Sequence, residues 1–122
     1  MAGTQKVVTS FTNIDATTTL VIAGSGGHAG ATFWLNLTGI TRTTGTLNVA
    51  VGWSPAPSAA PTPVLPIVTT LTGLTAAGLT RFVLTADFNA DQMAIPEPNV
   101  VTLTLVGDTA DVAGEIIALY GD

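Results

Sequence analysis

Alternation with a period of two constrains this chain more than any other feature. In residues 31–38, ATFWLNLT, one face carries Ala31, Phe33, Leu35 and Leu37, and the other Thr32, Trp34, Asn36 and Thr38. In residues 45–53, GTLNVAVGW, Leu47, Val49, Val51 and Trp53 oppose Thr46, Asn48, Ala50 and Gly52. In residues 100–106, VVTLTLV, Val101, Leu103 and Leu105 oppose Thr102 and Thr104. A strand turns successive side chains to opposite faces, so each run reads as a half-buried strand with threonine outward. Branching at Cβ suits threonine to a pleated surface and makes it a poor helix former. No segment sustains a helical stripe.

The same reading gives strands at 6–11, 17–23, 66–72, 79–85 and 112–120, about eight in all. Turn-like breaks separate them: GSGGHAG, TGITRTTG, LTAAG and GDTAD. Many short strands at regular spacing predict an all-β chain, a single antiparallel β-sandwich of Ig-like or jelly-roll-like type. With 122 residues the chain is long enough for one modest core. Residues 1–122 are therefore expected to form one domain, with 1–12 a candidate N-terminal arm.

One segment breaks the rhythm. Residues 54–66, SPAPSAAPTPVLP, hold five of the seven prolines. Proline lacks the N–H that a sheet needs and favours extended conformations, so a long, stiff surface loop is expected here. It marks no domain boundary, because each half alone has too few strands for a sandwich.

The glycine-rich stretch before residue 31 invites a nucleotide-binding reading. Gly24, Gly26 and Ala29 match the G-x-G-x-x-G/A spacing. The alternating ATFWLNLT that follows is a strand, however, and without a helix no N-terminal N–H groups are there to hold phosphate. Nor does any acid stand between Ile40 and Val51 to bind a ribose. Asp87, Asn89 and Asp91 resemble the opening of a calcium loop, but Gln92 stands where glycine should, and Pro98 where glutamate should. His28 is the single histidine and there is no cysteine, which removes most zinc sites, thiolate chemistry and disulfides. Asn36-Leu37-Thr38 matches a glycosylation acceptor but falls inside a strand. No catalytic, cofactor-binding or metal-binding residue is expected.

Charge supplies the setting. Charged residues make up 9% of the chain, against about 25% in an average globular protein, and 22 threonines fill the gap. Such a surface hydrates adequately but repels neighbours weakly, which suits a subunit held in a permanent assembly. Lys6, Arg42 and Arg81 are the only bases, too few to neutralise a nucleic acid backbone. Residues 82–122 hold seven acids and no base, read as loop-tip charges that keep the chain soluble. Residues 1–14 lack the apolar core of a signal peptide, and no run reaches the length of a membrane helix. The chain is therefore expected to stay in the cytosol where it is made, or to leave inside a larger particle.

Trp34 stands among threonines on the side of its strand away from Phe33 and Leu35. Tryptophan is enriched at the centres of interfaces. In residues 112–120, Ile116, Ala118 and Tyr120 oppose Ile117 and Leu119, so that strand needs cover on both faces. Trp34, Ile117 and Leu119 are the candidate interface residues.

Three stretches, GATFWLNLTGITRTTGTLNVAVGWS, LTGLTAAGLTRFVLT and NVVTLTLVGDTADVAGEIIAL, resemble small β-sandwich virion proteins of tailed bacteriophages. The likeness covers residues 17–122 and lies in the order of strands and Thr/Gly turns, ending in a final hairpin. The proline loop stands where such proteins often carry an acidic hairpin tip. The resemblance implies a non-enzymatic head decoration or cement protein on the capsid exterior. It implies a homo-oligomer, with a trimer the expected state, whose partners are the major capsid protein or other virion proteins, and neither nucleic acid nor membrane. A tail or head–tail component, and a carbohydrate-binding or adhesive module using Trp34 or Trp53, are the alternatives.

Overall fold

The computed structural model describes residues 5–22, 30–59, 63, 70–84 and 98–121. They form eight strands: β1 (Gln5–Ile14), β2 (Thr18–Val21), β3 (Gly30–Thr41), β4 (Thr46–Gly52), β5 (Thr70–Leu74), β6 (Gly78–Leu84), β7 (Val100–Val106) and β8 (Ala110–Gly121). The strands make two four-stranded antiparallel sheets, ordered β1-β8-β3-β6 and β2-β7-β4-β5. The chain is all-β and a β-sandwich, as the alternation predicts.

The order decides between the two expected sandwich types. Strands pair from the outside of the chain inward: β1 with β8, β2 with β7, β3 with β6 and β4 with β5. That is one long antiparallel double strand, rolled up until β8 also meets β3 and β7 also meets β4. The result is a jelly roll. The proline-rich segment joins β4 to β5 and so lies at the tip of the double strand. Among the described strands these are also the only two consecutive ones that neighbour each other in a sheet. Every other short turn crosses between the sheets, including Gly107–Thr109 between β7 and β8. The hairpin expected at the end of the chain is therefore an arch from one sheet to the other.

Burial follows the pattern read from the sequence. Phe33, Leu35 and Leu37 of β3 are buried, and so are Leu47, Val49 and Val51 of β4, Val101 and Leu103 of β7, and Val112, Ile116, Ala118 and Tyr120 of β8. These side chains interdigitate between the sheets in one core, joined by Phe11 and Ile22. Each large apolar side chain so buried contributes about 1.5–3 kcal/mol. Thr32, Thr102 and Thr104 occupy the outward positions. Trp53 is an exception: expected on the core face, it is half-buried, because the alternation breaks at Gly52 where β4 ends. The strand expected at 66–72 is β5, Thr70–Leu74, and residues 64–69 lie outside the described part. Residues 5–12 of the candidate arm belong to β1, paired with β8 from Gln5 to Phe11.

Polar contacts fix the two ends of the sandwich. At one end the arches β3–β4 and β7–β8 lie side by side. Asp108 of the second accepts hydrogen bonds from the backbone N–H groups of Thr43 (2.8 Å), Thr44 (3.1 Å) and Gly45 (2.5 Å) of the first. The Thr109 hydroxyl adds contacts to the carbonyls of Thr46 and Val106 at 2.9 and 2.8 Å. Arg42 donates through Nε to the Gly45 carbonyl. At the other end Asn99 acts as a clasp. Its Oδ1 accepts from Ser54 N–H at 2.8 Å and its Nδ2 donates to the Ser54 carbonyl at 2.7 Å. Its backbone N–H reaches the Gly52 carbonyl, and its carbonyl accepts from Ile22 N–H. The proline segment thus leaves the sandwich from a fixed point.

Candidate functional site

The first sheet turns one face to the core and one outward. Pairing registers place the outward residues in rows across the strands. Lys6 of β1, Leu119 of β8 and Thr32 of β3 make one row. Val8, Ile117, Trp34 and Arg81 make the next, with Arg81 on β6. Ser10, Glu115, Asn36 and Leu79 make the third. The three residues singled out from the sequence therefore meet. Trp34 stands directly opposite Ile117, and Leu119 follows two positions along the same strand.

Lys6, Trp34, Leu79, Ile117 and Leu119 line an open groove of about 340 Å³ on this face. Trp34, Ile117 and Leu119 are half-buried, whereas Val8 is 46% and Leu79 61% exposed. An outward sheet face is ordinarily polar, so this apolar strip is the feature that asks for a partner. The guanidinium of Arg81 lies over the Trp34 ring, its Cζ 5.7 Å from the ring centroid. That is cation–π geometry, and it holds the indole in place. Beside it Asn36 Nδ2 donates to Glu115 Oε1 at 3.3 Å, which engages the side chain of the glycosylation-like triplet within the sheet.

The charges are placed unevenly. Lys6 and Arg81, two of the three bases, flank the groove, and Glu115 is the described acid on the same face. Asp15, Asp108 and Asp111 are exposed at strand-end turns, where Asp15 accepts from the Asp111 backbone N–H at 2.9 Å. Asp108 and Asp111 fit the loop-tip reading, but Glu115 does not, because it lies in the middle of β8, between β1 and β3. Asp87, Asn89 and Asp91 of the calcium-like stretch, His28 and the glycines at 24, 26 and 27 all lie outside the described residues. Among the described residues no group of three or more His, Asp or Glu could hold a metal ion.

Sequence reading missed the partners of Trp34 and the clasp of Asn99. Strand alternation assigns faces but not neighbours, so nothing in LTRFVL announces that Arg81 lies over an indole. An asparagine just before a strand was a legible signal for Asn99, since short amides cap turns and strand ends.

No protein-family model matches the chain, and no curated protein matches it either. Among solved structures it is similar to a chain from Bacillus endospore appendages, described as forming a novel family of disulfide-linked pili. The TM-score is 0.54 at 15% identity, covering 97% of this chain and 85% of that one. It is also similar to FlhE, with a TM-score of 0.47 at 11% identity, covering 98% of each chain. At 15% identity the first likeness bears on the fold alone.

Proposed function

We propose that this chain is a non-enzymatic structural subunit that docks through the outward face of its first sheet, and that its setting is the exterior of a phage head. One observation carries the reading: Trp34, Ile117 and Leu119 come together as an apolar strip bordered by Lys6 and Arg81. An apolar centre holding a tryptophan, with charge at the rim, is the anatomy of a docking patch. The charge-poor surface supports permanent assembly. Jelly rolls serve in viral capsids and also in lectins, so the fold supports the setting by analogy only. The adhesive alternative is weaker on this face, since Arg81 already covers the Trp34 ring on which a sugar would stack. Mass spectrometry of purified particles, with and without surface protease treatment, tests the proposal. The chain should be present in many copies and be removed by the protease; its absence from particles overturns the virion setting.

A second reading rests on the appendage likeness, which spans 97% of the chain. It makes this chain a fibre subunit. The disulfide links of the appendage pili would have to be replaced here, because this sequence has no cysteine. Negative-stain microscopy of concentrated protein separates the readings: fibres favour the second.

A further inference from the structure

Four strands form the borders of the two sheets: β1 and β6 of the first, β2 and β5 of the second. A bare edge offers unpaired N–H and C=O groups to any other strand, so edges are protected by brevity, bulges, proline or charged side chains, lysine above all. Three of these four carry such a device. β1 bears Lys6, shifts register between Phe11 and Ile14, and takes Asn13 through φ 53°. β2 is four residues long. β5 has five residues, a register shift against β4, and Gly73 at φ 71°. β6 has none of these but one charge, Arg81, whose guanidinium is drawn back over Trp34 of the neighbouring strand. It pairs with β3 without a register shift from Gly78 to Leu84, and its sequence GLTRFVL contains neither lysine nor proline. No other strand among the described residues pairs with its free side. Near its start stands Leu79, the most exposed of the large hydrophobic side chains described.

We propose that β6 joins two copies of this chain, β6 antiparallel to β6, into one continuous eight-stranded sheet. The inference goes beyond the docking reading, because it concerns how two copies meet whatever they coat. A second copy fits the edge for reasons of charge and cover. In a two-fold antiparallel pair one residue faces its own counterpart. Centring on Arg81 would set two guanidinium groups directly opposite, which repels. Centring on Phe82 would carry Leu79 beyond the paired residues, and centring on Leu79 would leave most of β6 unpaired. Centring on Thr80 places Leu79 of each copy opposite Arg81 of the other. Each Leu79, otherwise in solvent, is then covered by the partner's strand. The arrangement is isologous, the commonest symmetry of homo-oligomers. It replaces the trimer expected from the phage resemblance with a two-fold pair.

The absence of cysteine gives a clean background for the test. Leu79→Cys and Arg81→Cys proteins are purified separately, then oxidised mildly, alone and mixed. Opposed positions in an antiparallel pair fall within the roughly 4.4–6.8 Å Cα separation that a disulfide spans, whereas positions two residues out of register stand about 8 Å apart. The mixture should give at least about tenfold more cross-linked dimer than either protein alone. Wild type should run as a dimer in light scattering, and Leu79→Lys, altered at an exposed position, should stay folded and become a monomer. A monomeric or trimeric wild type, a Leu79→Lys protein that still dimerises, or cross-linking as strong in the single proteins as in the mixture overturns the inference. A chain that dimerises this way yet binds no shell contradicts the docking proposal and leaves this one standing.

Discussion

Asp108 shows how one carboxylate can organise two arches. Hydrogen bonds from the N–H groups of Gly45, Thr43 and Thr44 hold its carboxyl below the ordinary aspartate value. A carboxylate with a depressed folded value stabilises the fold above its unfolded pKa of about 3.9, and that stability is lost as pH falls through the lower folded value. Asp108→Asn should therefore lower stability at neutral pH and make acid unfolding less steep below about pH 4, as followed by circular dichroism melts across pH. Tyr120 is a second decisive residue. Its hydroxyl donates to the Pro98 carbonyl at 3.0 Å in the core, and its ring meets Phe33 edge to face at 6.0 Å. Tyr120→Phe leaves that carbonyl without this donor and should cost about 1–2 kcal/mol in urea unfolding. Neither role was legible beforehand. GDTAD reads as a turn and Tyr120 as a core residue, but hydrogen-bond partners 63–65 positions from Asp108 and 22 from Tyr120 leave no local trace.

At the scale of elements, strand identity was open to reading and strand neighbourhood was not. The faces of β3, β4, β7 and β8 follow directly from alternation, because a side chain on the wrong face would expose the whole apolar set. The same turns that look like hairpin tips, TRTTG and GDTAD, instead carry the chain between sheets, since a short polar turn serves either route. Close approach adds a constraint that alternation does not express. At Gly114, where β3 bulges against β8, a Cβ would run into the Asn36 carbonyl oxygen and come within 3.1 Å of Leu37 Cα. Gly114→Ala should cost about 1–3 kcal/mol through overpacking, measured by thermal melting. The clasp makes a kinetic prediction. Asn99→Ala removes two side-chain hydrogen bonds to Ser54, so limited proteolysis near the exposed Ser58 and Ala59 should begin earlier than in wild type.

At the scale of the molecule, the jelly roll explains why the proline segment joins β4 to β5 at the tip of the double strand, but not why one face of one sheet is left apolar. The core uses the inward residues of both sheets. Nothing in that core requires Trp34, Ile117 and Leu119 to be apolar, so their presence outward needs a reason outside the single chain. The sequence made those three residues visible individually; their meeting depends on β8 lying beside β3, which only the topology supplies. The central claim is that this face docks. In the proposed phage-head setting, its most direct test is the binding of wild type and Trp34→Asp to capsids that lack the protein, with folding of the variant checked by circular dichroism. An interface anchor is worth at least about 2 kcal/mol, so the variant should bind roughly thirtyfold more weakly. A folded Trp34→Asp protein that binds with wild-type affinity would contradict the claim.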